Sequence, residues 1–369
     1  MAEPFKNELG EPRIKVIAHH LAKHNKQFDE KQFLALALEN LDELSLMQRS
    51  QQIVSALKQC LPQNFVEASD TILKSLAPVD KQEDEHGLHS WLTVPLAEFM
   101  GQHGQDEFDH GMFALQSITQ YFSSEWAIRH FLKQQQQASL KKLHEWCEHE
   151  NEHVRRLASE GSRPRLPWGF QLEAFKQDPA LTFALLEKLK SDPSDYVRLS
   201  VSNHLNDISK DHPEWLVERL SSWMDEADDK RMKLIRHACR SLIKQAHQPT
   251  LNMLGYTKFN VNEVDLSIDD VKLKYGDKLG FDLKFKGPKH KNIIVDFIIH
   301  FQKSNGLLAE KVFKWKTTAL NAKGEFHAKK SHAIKPITTR RYYNGPHRLE
   351  VMVNGQVVAG QDFELYGVE

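Results

Sequence analysis

Chemically useful side chains are densest in one short turn, SEGSRPRLPWG, at residues 159–169. It sets Glu160 ahead of Gly161, then Arg163, Arg165 and Trp168 around Pro164 and Pro167. Two prolines stiffen such a turn and hold its side chains at small entropic cost. Arginine with tryptophan then suits phosphate contact and stacking on bases or sugars. The same residues would serve equally in a capping turn whose tryptophan fills the groove to the next helix pair. Two more carboxylates stand out by position. Glu125 lies in SSEW, where Ser123 or Ser124 is placed to cap a helix. Asp207 follows NHLN near the end of its expected helix, where the helix dipole disfavours a negative charge by about 0.3 to 1 kcal/mol. A carboxylate kept at that cost points to use, although exposed helix ends tolerate many such residues.

Other constellations carry less. His144, Cys147, His149 and His153 crowd into HEWCEHENEH, but there is no HExxH and no third ligand on a shared face, so they read as solvated or core residues and no metal is expected. GxxxxGK[ST], GxGxxG and GxSxG are all absent. That excludes P-loop NTPases, dinucleotide enzymes of the usual type and α/β-hydrolases, and leaves no cofactor expected. Cys60, Cys147 and Cys239 are odd in number and far apart, as in a reducing compartment, and read as small core residues.

The elements that must hold these groups fall into two textures. Before Gly255, stretches such as SLKKLHEWCEHENEHVRRLASEG carry apolar residues at helical spacing. HVRRLAS, YVRLSVS and LIRHACR bring Arg155, Arg198 and Arg236 into register at intervals of 43 and 38 residues, near the roughly 40 to 47 residue period of HEAT-type helix pairs. Asp195 takes the acidic position that opens an inner helix. Each arginine is as well suited to stitching the stack together as to holding a ligand. After Gly255 the chain alternates with period two, as in KLGFDLKFKG and KNIIVDFIIHF, and Asn354-Gly355 divides two such runs as a hairpin would. Six or seven strands are expected there. The predicted architecture is multidomain, α then β: a HEAT-like α-solenoid over residues 1–256, followed by an antiparallel Ig-like β-sandwich over 257–369.

The net charge of −1 conceals a division between these parts. From Tyr256 onward there are 19 Lys and Arg against 13 Asp and Glu, a balance of +6, while the first 255 residues balance at −7. The second part can therefore face a polyanion, with Lys286, Lys289 and Lys291 in FKGPKHK and with Lys329, Lys330, Arg340 and Arg341 farther on. A lysine-rich edge that keeps sheets from aggregating would look the same. No apolar run approaches the ~18 to 20 residues that span a bilayer, so no membrane partner is expected.

MAEPFKN, SSEWAIRHFL, SEGSRPRLPW, VRLSVSNHLNDISKDHP and RHACRSLIK together resemble the AlkC-type branch of the bacterial AlkC/AlkD DNA alkylation repair glycosylases. Some members of that branch also carry a C-terminal Ig-like domain. The resemblance implies a monofunctional glycosylase that removes cationic N-alkylated bases, chiefly 3-methyladenine and 3-methylcytosine, without a tight base-flipping pocket. It implies catalytic roles for Glu125, Glu160 and Asp207. On this view Arg155, Arg156, Arg163, Arg165, Trp168 and Arg198 face DNA, and the sandwich with Lys286, Lys289 and Lys291 clamps it. His130 departs from the family pattern, where proline is expected, at a position away from the chemistry. The implied partner is double-stranded DNA containing alkylated bases, and the implied setting is a monomer in the bacterial cytoplasm, acting at the nucleoid. The alternative is a non-catalytic HEAT-repeat scaffold for DNA or protein.

Overall fold

The computed structural model describes residues 5–225, 227–338 and 340–368. Among these, sixteen α-helices precede the first strand. The first eight are α1 (Glu11–His24), α2 (Glu30–Ala37), α3 (Leu46–Cys60), α4 (Phe65–Lys74), α5 (Val94–His103), α6 (Phe108–Ile118), α7 (Ile128–Gln134) and α8 (Gln136–Trp146). There follow α9 (Glu152–Glu160), α10 (Glu173–Gln177), α11 (Ala180–Leu189), α12 (Asp195–Ile208), α13 (Pro213–Met224), α14 (Asp229–Ala238), α15 (Arg240–Lys244) and α16 (Gln248–Met253). The chain separates into two compact units, Met1–His212 with Ala227–Ala238, and Pro213–Glu226 with Cys239–Glu369.

In the first unit the three arginine-bearing segments become α9, α12 and α14, and α12 packs between the other two. The helices are ordered by what their sequences bury. In α9 Val154, Leu157 and Ala158 face inward, and Asn151 caps the start by accepting the His153 N–H at 2.9 Å. The long expected helix through residues 139–161 is broken here, because the segment between Trp146 and Glu152 turns and supplies that cap. Neither Ser123 nor Ser124 caps α7: Ser123 Oγ donates to Glu125 and Ser124 Oγ to the Leu115 carbonyl.

In the second unit α13 packs on α16, and eight strands form a two-sheet sandwich. They are β1 (Asn262–Ile268), β2 (Lys272–Lys274), β3 (Lys278–Lys286), β4 (Asn292–Gln302), β5 (Leu308–Ala319), β6 (Glu325–Ala333), β7 (Gly345–Val353) and β8 (Gln356–Tyr366). One sheet has the order β1-β3-β6, the other β2-β8-β7-β4-β5. All pairings are antiparallel save that of the short β2 with β8. Leu279, Phe281, Leu283 and Phe285 of β3 meet Ile293, Val295, Phe297, Ile299 and Phe301 of β4 in one apolar core. β4 is covered on both faces, since Ile294, Asp296 and Ile298 are buried as well.

The expected hairpin joins β7 to β8. Asn354 (φ 46°) and Gly355 (φ 78°) both take the left-handed conformation that a tight two-residue turn needs. Gly355 also has no room for a Cβ, which would lie 2.7 Å from Leu251 Cδ1 of α16. The Asn354 amide donates to the carbonyls of Thr257 and Asn292 and accepts the Ile294 N–H, tying the turn to the strand entry. Among the described residues no helix is long and apolar enough to cross a membrane.

Candidate functional site: a chain of carboxylates and guanidiniums

Glu160 is the last residue of α9 and Asp207 the last but one of α12, so both lie at the negative ends of their helices. Packing of α9 on α12 brings these ends together. Arg163, just past α9, spans them: its Nη1 donates to Glu160 Oε1 at 2.6 Å and its Nε to Asp207 Oδ2 at 2.9 Å. Lys210 Nζ reaches Asp207 Oδ1 at 3.1 Å. On the other side Arg156, one turn before Glu160, donates to Glu125 Oε2 at 2.8 Å and lies 3.6 Å from Glu160 Oε1. Ser123 Oγ closes that end by donating to Glu125 Oε2 at 2.9 Å. The result is an alternating row, Ser123, Glu125, Arg156, Glu160, Arg163, Asp207, Lys210.

Burial makes this row consequential. Glu160 is 4% exposed and Asp207 1%. Burial works against the charge on Arg163, but Glu160 and Asp207 outweigh it and raise its pKa above the ordinary value. Arg156 behaves alike, with Glu160 and Glu125 overcoming the cost of burial. Both guanidiniums therefore stay charged. Both Asp207 oxygens are bonded to cations, whereas Glu160 Oε2 is buried with no partner.

The turn after α9 is held from beneath. Arg129 of α7 is fully buried and donates to the carbonyls of Gly161 (3.0 Å), Arg163 (2.7 Å) and Phe170 (2.9 Å). Burial foremost, then Arg163, lowers its pKa to about 10, against the pull of Asp207 and Glu125. Gly161 is required because a Cβ there would lie 2.3 Å from Ile128 Cγ2. Above this support Trp168 stands 69% exposed with φ 64°, a backbone region that costs a bulky residue of order 1–3 kcal/mol. Its indole lies 6.1 Å from that of Trp126, which donates to the Pro167 carbonyl at 3.1 Å.

The chain is similar to other proteins over nearly its whole length. Residues 113–242 match the family described as DNA alkylation repair enzyme, and residues 262–367 match the C-terminal Ig-like domain of an uncharacterised protein, YhaZ. The uncharacterized protein YhaZ of Bacillus subtilis is 36% identical over 363 residues, which cover 98% of this chain and 99% of that one. The Pseudomonas fluorescens alkylpurine DNA glycosylase AlkC, solved bound to DNA containing an abasic site analog, is 35% identical with a TM-score of 0.88 over 98% of this chain and 99% of that one. The chain belongs to the DNA alkylation repair enzyme family. Its fold is the AlkC fold, a helical part followed by an Ig-like sandwich.

Within this DNA alkylation repair fold, the residues singled out in the sequence separate into several groups. Glu125, Arg156, Glu160, Arg163 and Asp207 meet in the row described above. Trp168 sits exposed on the turn beside it, and Arg165 pairs with Asp211 at 2.6 Å. Arg155 instead ties α9 to the turn before α12, and Arg198 is held within α12 and that same turn. Arg155 grips Asp192 through Nε and Nη2, and Arg198 donates to Asp195 and to the Asp192 carbonyl. In the sandwich Lys286 pairs with Glu263 at 2.6 Å, Lys291 donates to Thr257, and Lys289 lies exposed in the following loop. The histidines and cysteine of residues 144–153 are not grouped as ligands: His149 Nδ1 accepts the Asn151 N–H, and burial first, then Lys188, lowers the His144 pKa.

Several site residues escaped the sequence reading. Lys210 stands three residues after Asp207 and was legible as a helical neighbour. Tyr196 lies under the Arg156 guanidinium, 4.7 Å from its ring centre, and had no such signal. His204 is fully buried, bridges the Ser159 carbonyl and Thr182 Oγ1, and is kept neutral by a pKa that burial pushes down to about 4. It ties α12 to the residue before Glu160.

Proposed function

We propose that this chain is a monofunctional DNA glycosylase that hydrolyses the N-glycosidic bond of cationic N-alkylated bases, 3-methyladenine and 3-methylcytosine, in double-stranded DNA. The observation that carries this reading is the row of three carboxylates, two of them buried, in which Glu160 Oε2 is a buried acceptor without a donor. Family membership and the AlkC fold support it.

Departure of the base leaves oxocarbenium-like positive charge on the sugar, which a nearby carboxylate stabilises. Glu160 Oε2 accepts a proton from the attacking water. The water oxygen bonds to the anomeric carbon while the glycosidic electron pair passes to the base. Because the alkylated base begins cationic, it leaves neutral and needs no proton from an acid. Asp207 and Glu125, each held by an arginine, supply fixed negative charge. Selectivity then follows from the charge of the lesion, and no enclosed pocket is called for; a cavity among the N-terminal helices, lined by Phe5, Arg13 and Arg49 among others, has none of the three acids in its lining. We further place the catalytic domain at residues 1–256 and the sandwich at 257–369, the protein acting as a monomer in the bacterial cytoplasm.

The test is release of free base from methylated duplex by purified protein. Release by the wild type, lost in Glu160→Gln, supports the reading. Absence of release with salt-sensitive DNA binding intact would move the protein to the scaffold class.

A further inference from the structure

A second polar assembly lies at the opposite end of α12 from Asp207. A cavity of about 120 Å³ is lined there by Lys190, Asp192, Arg198, Asp228, Lys230 and Arg231. Four of these six are cations; Lys190 pairs with Glu187 at 3.3 Å and Arg198 with Asp195, which leaves Lys230 and Arg231 without a carboxylate partner among the described residues, and the two acids have bonds of their own. Asp192 receives both Arg155 bonds and the Ser194 N–H, and Asp228 Oδ1 accepts the Arg231 backbone N–H at 2.8 Å at the start of α14. Arg198, 6% exposed, is fixed by its bonds to Asp195 and the Asp192 carbonyl. Arg231 Nη2 donates to Ser191 Oγ, but Arg231 Nε is a buried donor with no partner. Leaving a buried donor unsatisfied costs about 1–3 kcal/mol, more when it is charged. An anion beside Lys230 and Arg231 would complete this donor, and the cavity exceeds the space one water needs. The N-terminal end of α12, where Ser194 makes no side-chain cap, adds partial positive charge from its open N–H groups.

We infer that this cavity seats one phosphate group of the DNA backbone. The inference rests on the glycosylase reading, which supplies DNA as the polyanion. From Asp195 to Asp207 the helix rises about 18 Å at about 1.5 Å per residue. Duplex DNA carries a phosphate charge for about every 1.7 Å of axis, so a duplex with a sugar at the carboxylates has phosphates at that separation. Arg231 Nε donates to a phosphate oxygen, and exposed Lys230 adds a point charge at the rim. The seat holds a duplex in register along α12 without reading its bases.

The experiment measures equilibrium binding to unmodified duplex across a salt series. A lost phosphate contact flattens the plot of log affinity against log salt by about 0.9. Lys230→Gln and Arg231→Gln are each expected to flatten it by up to that amount, and the double variant by no more, because both residues serve one phosphate. Lys230 is exposed, so its variant folds whatever becomes of Arg231. A wild-type slope in both single variants overturns the seat. A second arm titrates inorganic phosphate: if millimolar phosphate raises the thermal midpoint of the wild type but not of Arg231→Gln, while the DNA slope stays unchanged, the cavity takes free phosphate and the DNA assignment falls. Base release is not used, so a flattened slope without any base release retains the seat and removes only the catalytic reading.

Discussion

On the proposed glycosylase reading, the cost of an unpartnered buried carboxylate oxygen decides how the three acids divide their work. Glu160 Oε1 is gripped by Arg163 while Oε2 has no donor, so Glu160 is the acid able to take a proton from water. Glu160→Gln keeps the volume and one acceptor but removes the basic oxygen. Loss of a positioned base typically costs 10² to 10⁴-fold, so base release should fall by about that factor with DNA affinity unchanged or tighter. Single-turnover release at saturating DNA checks it; retention within a few-fold would remove Glu160 from the chemistry. Asp207→Asn should behave differently, because both Asp207 oxygens hold cations at 1% exposure. Breaking a buried pair on one side destabilises by about 3–5 kcal/mol. Its thermal midpoint should therefore drop together with release, and an unchanged midpoint would show that the Arg163 bridge contributes little to stability.

Elements hold these residues through groups that leave no mark in a sequence. Arg129 supports the 161–170 turn by donating to three backbone carbonyls, and every residue offers a carbonyl, so no spacing announces such an anchor. The repeated arginines of α9 and α12, the apolar periodicity, the hairpin at Asn354-Gly355 and the three acids were legible because side-chain pattern carries them. β4 was legible only in half: one apolar face follows from alternation, but burial of Ile294 and Ile298 on the other depends on what covers a central strand. Arg129→Met should free the turn, raising amide exchange across residues 161–170 and changing the emission of the exposed Trp168. Wild-type protection of that turn in a folded variant would refute the anchor. In β4 itself, Asp296 is buried beside a bulge with Oδ1 unpartnered, and burial, against a Trp315 backbone bond and Lys314, pushes its pKa up from 3.8 to about 6. The folded state thus holds this proton more tightly than the unfolded chain. Stability falls as pH rises from 3.8 to about 6, and the deficit, about 3 kcal/mol, is complete above that window. Asp296→Asn should remove this trend and raise the midpoint of the strand-rich unit at neutral pH; an equal midpoint for both proteins would show that the carboxylate finds compensation there.

Across the whole molecule the −1 net charge predicts weak attraction to a polyanion, yet the +6 balance after Gly255 predicts attraction for that part alone. The two expectations separate in kinetics, because a segregated charge steers encounter while a uniform one does not. Pairing decides which lysines count. Lys286 is held by Glu263 at 2.6 Å, which offsets its charge at short range, whereas Lys289 is exposed beyond the end of β3. Exposed pairs contribute little to stability but still cancel locally, so Lys289→Gln should slow association with duplex DNA more than Lys286→Gln does. Both effects should fade as ionic strength shortens the screening length from about 30 Å at 0.01 M to about 8 Å at 0.15 M. Stopped-flow association rates at the two ionic strengths make the comparison. Equal rates for Lys289→Gln and wild type at low salt would mean that the positive charge of the sandwich faces something other than DNA, and the polyanion would then be met by the helical part alone.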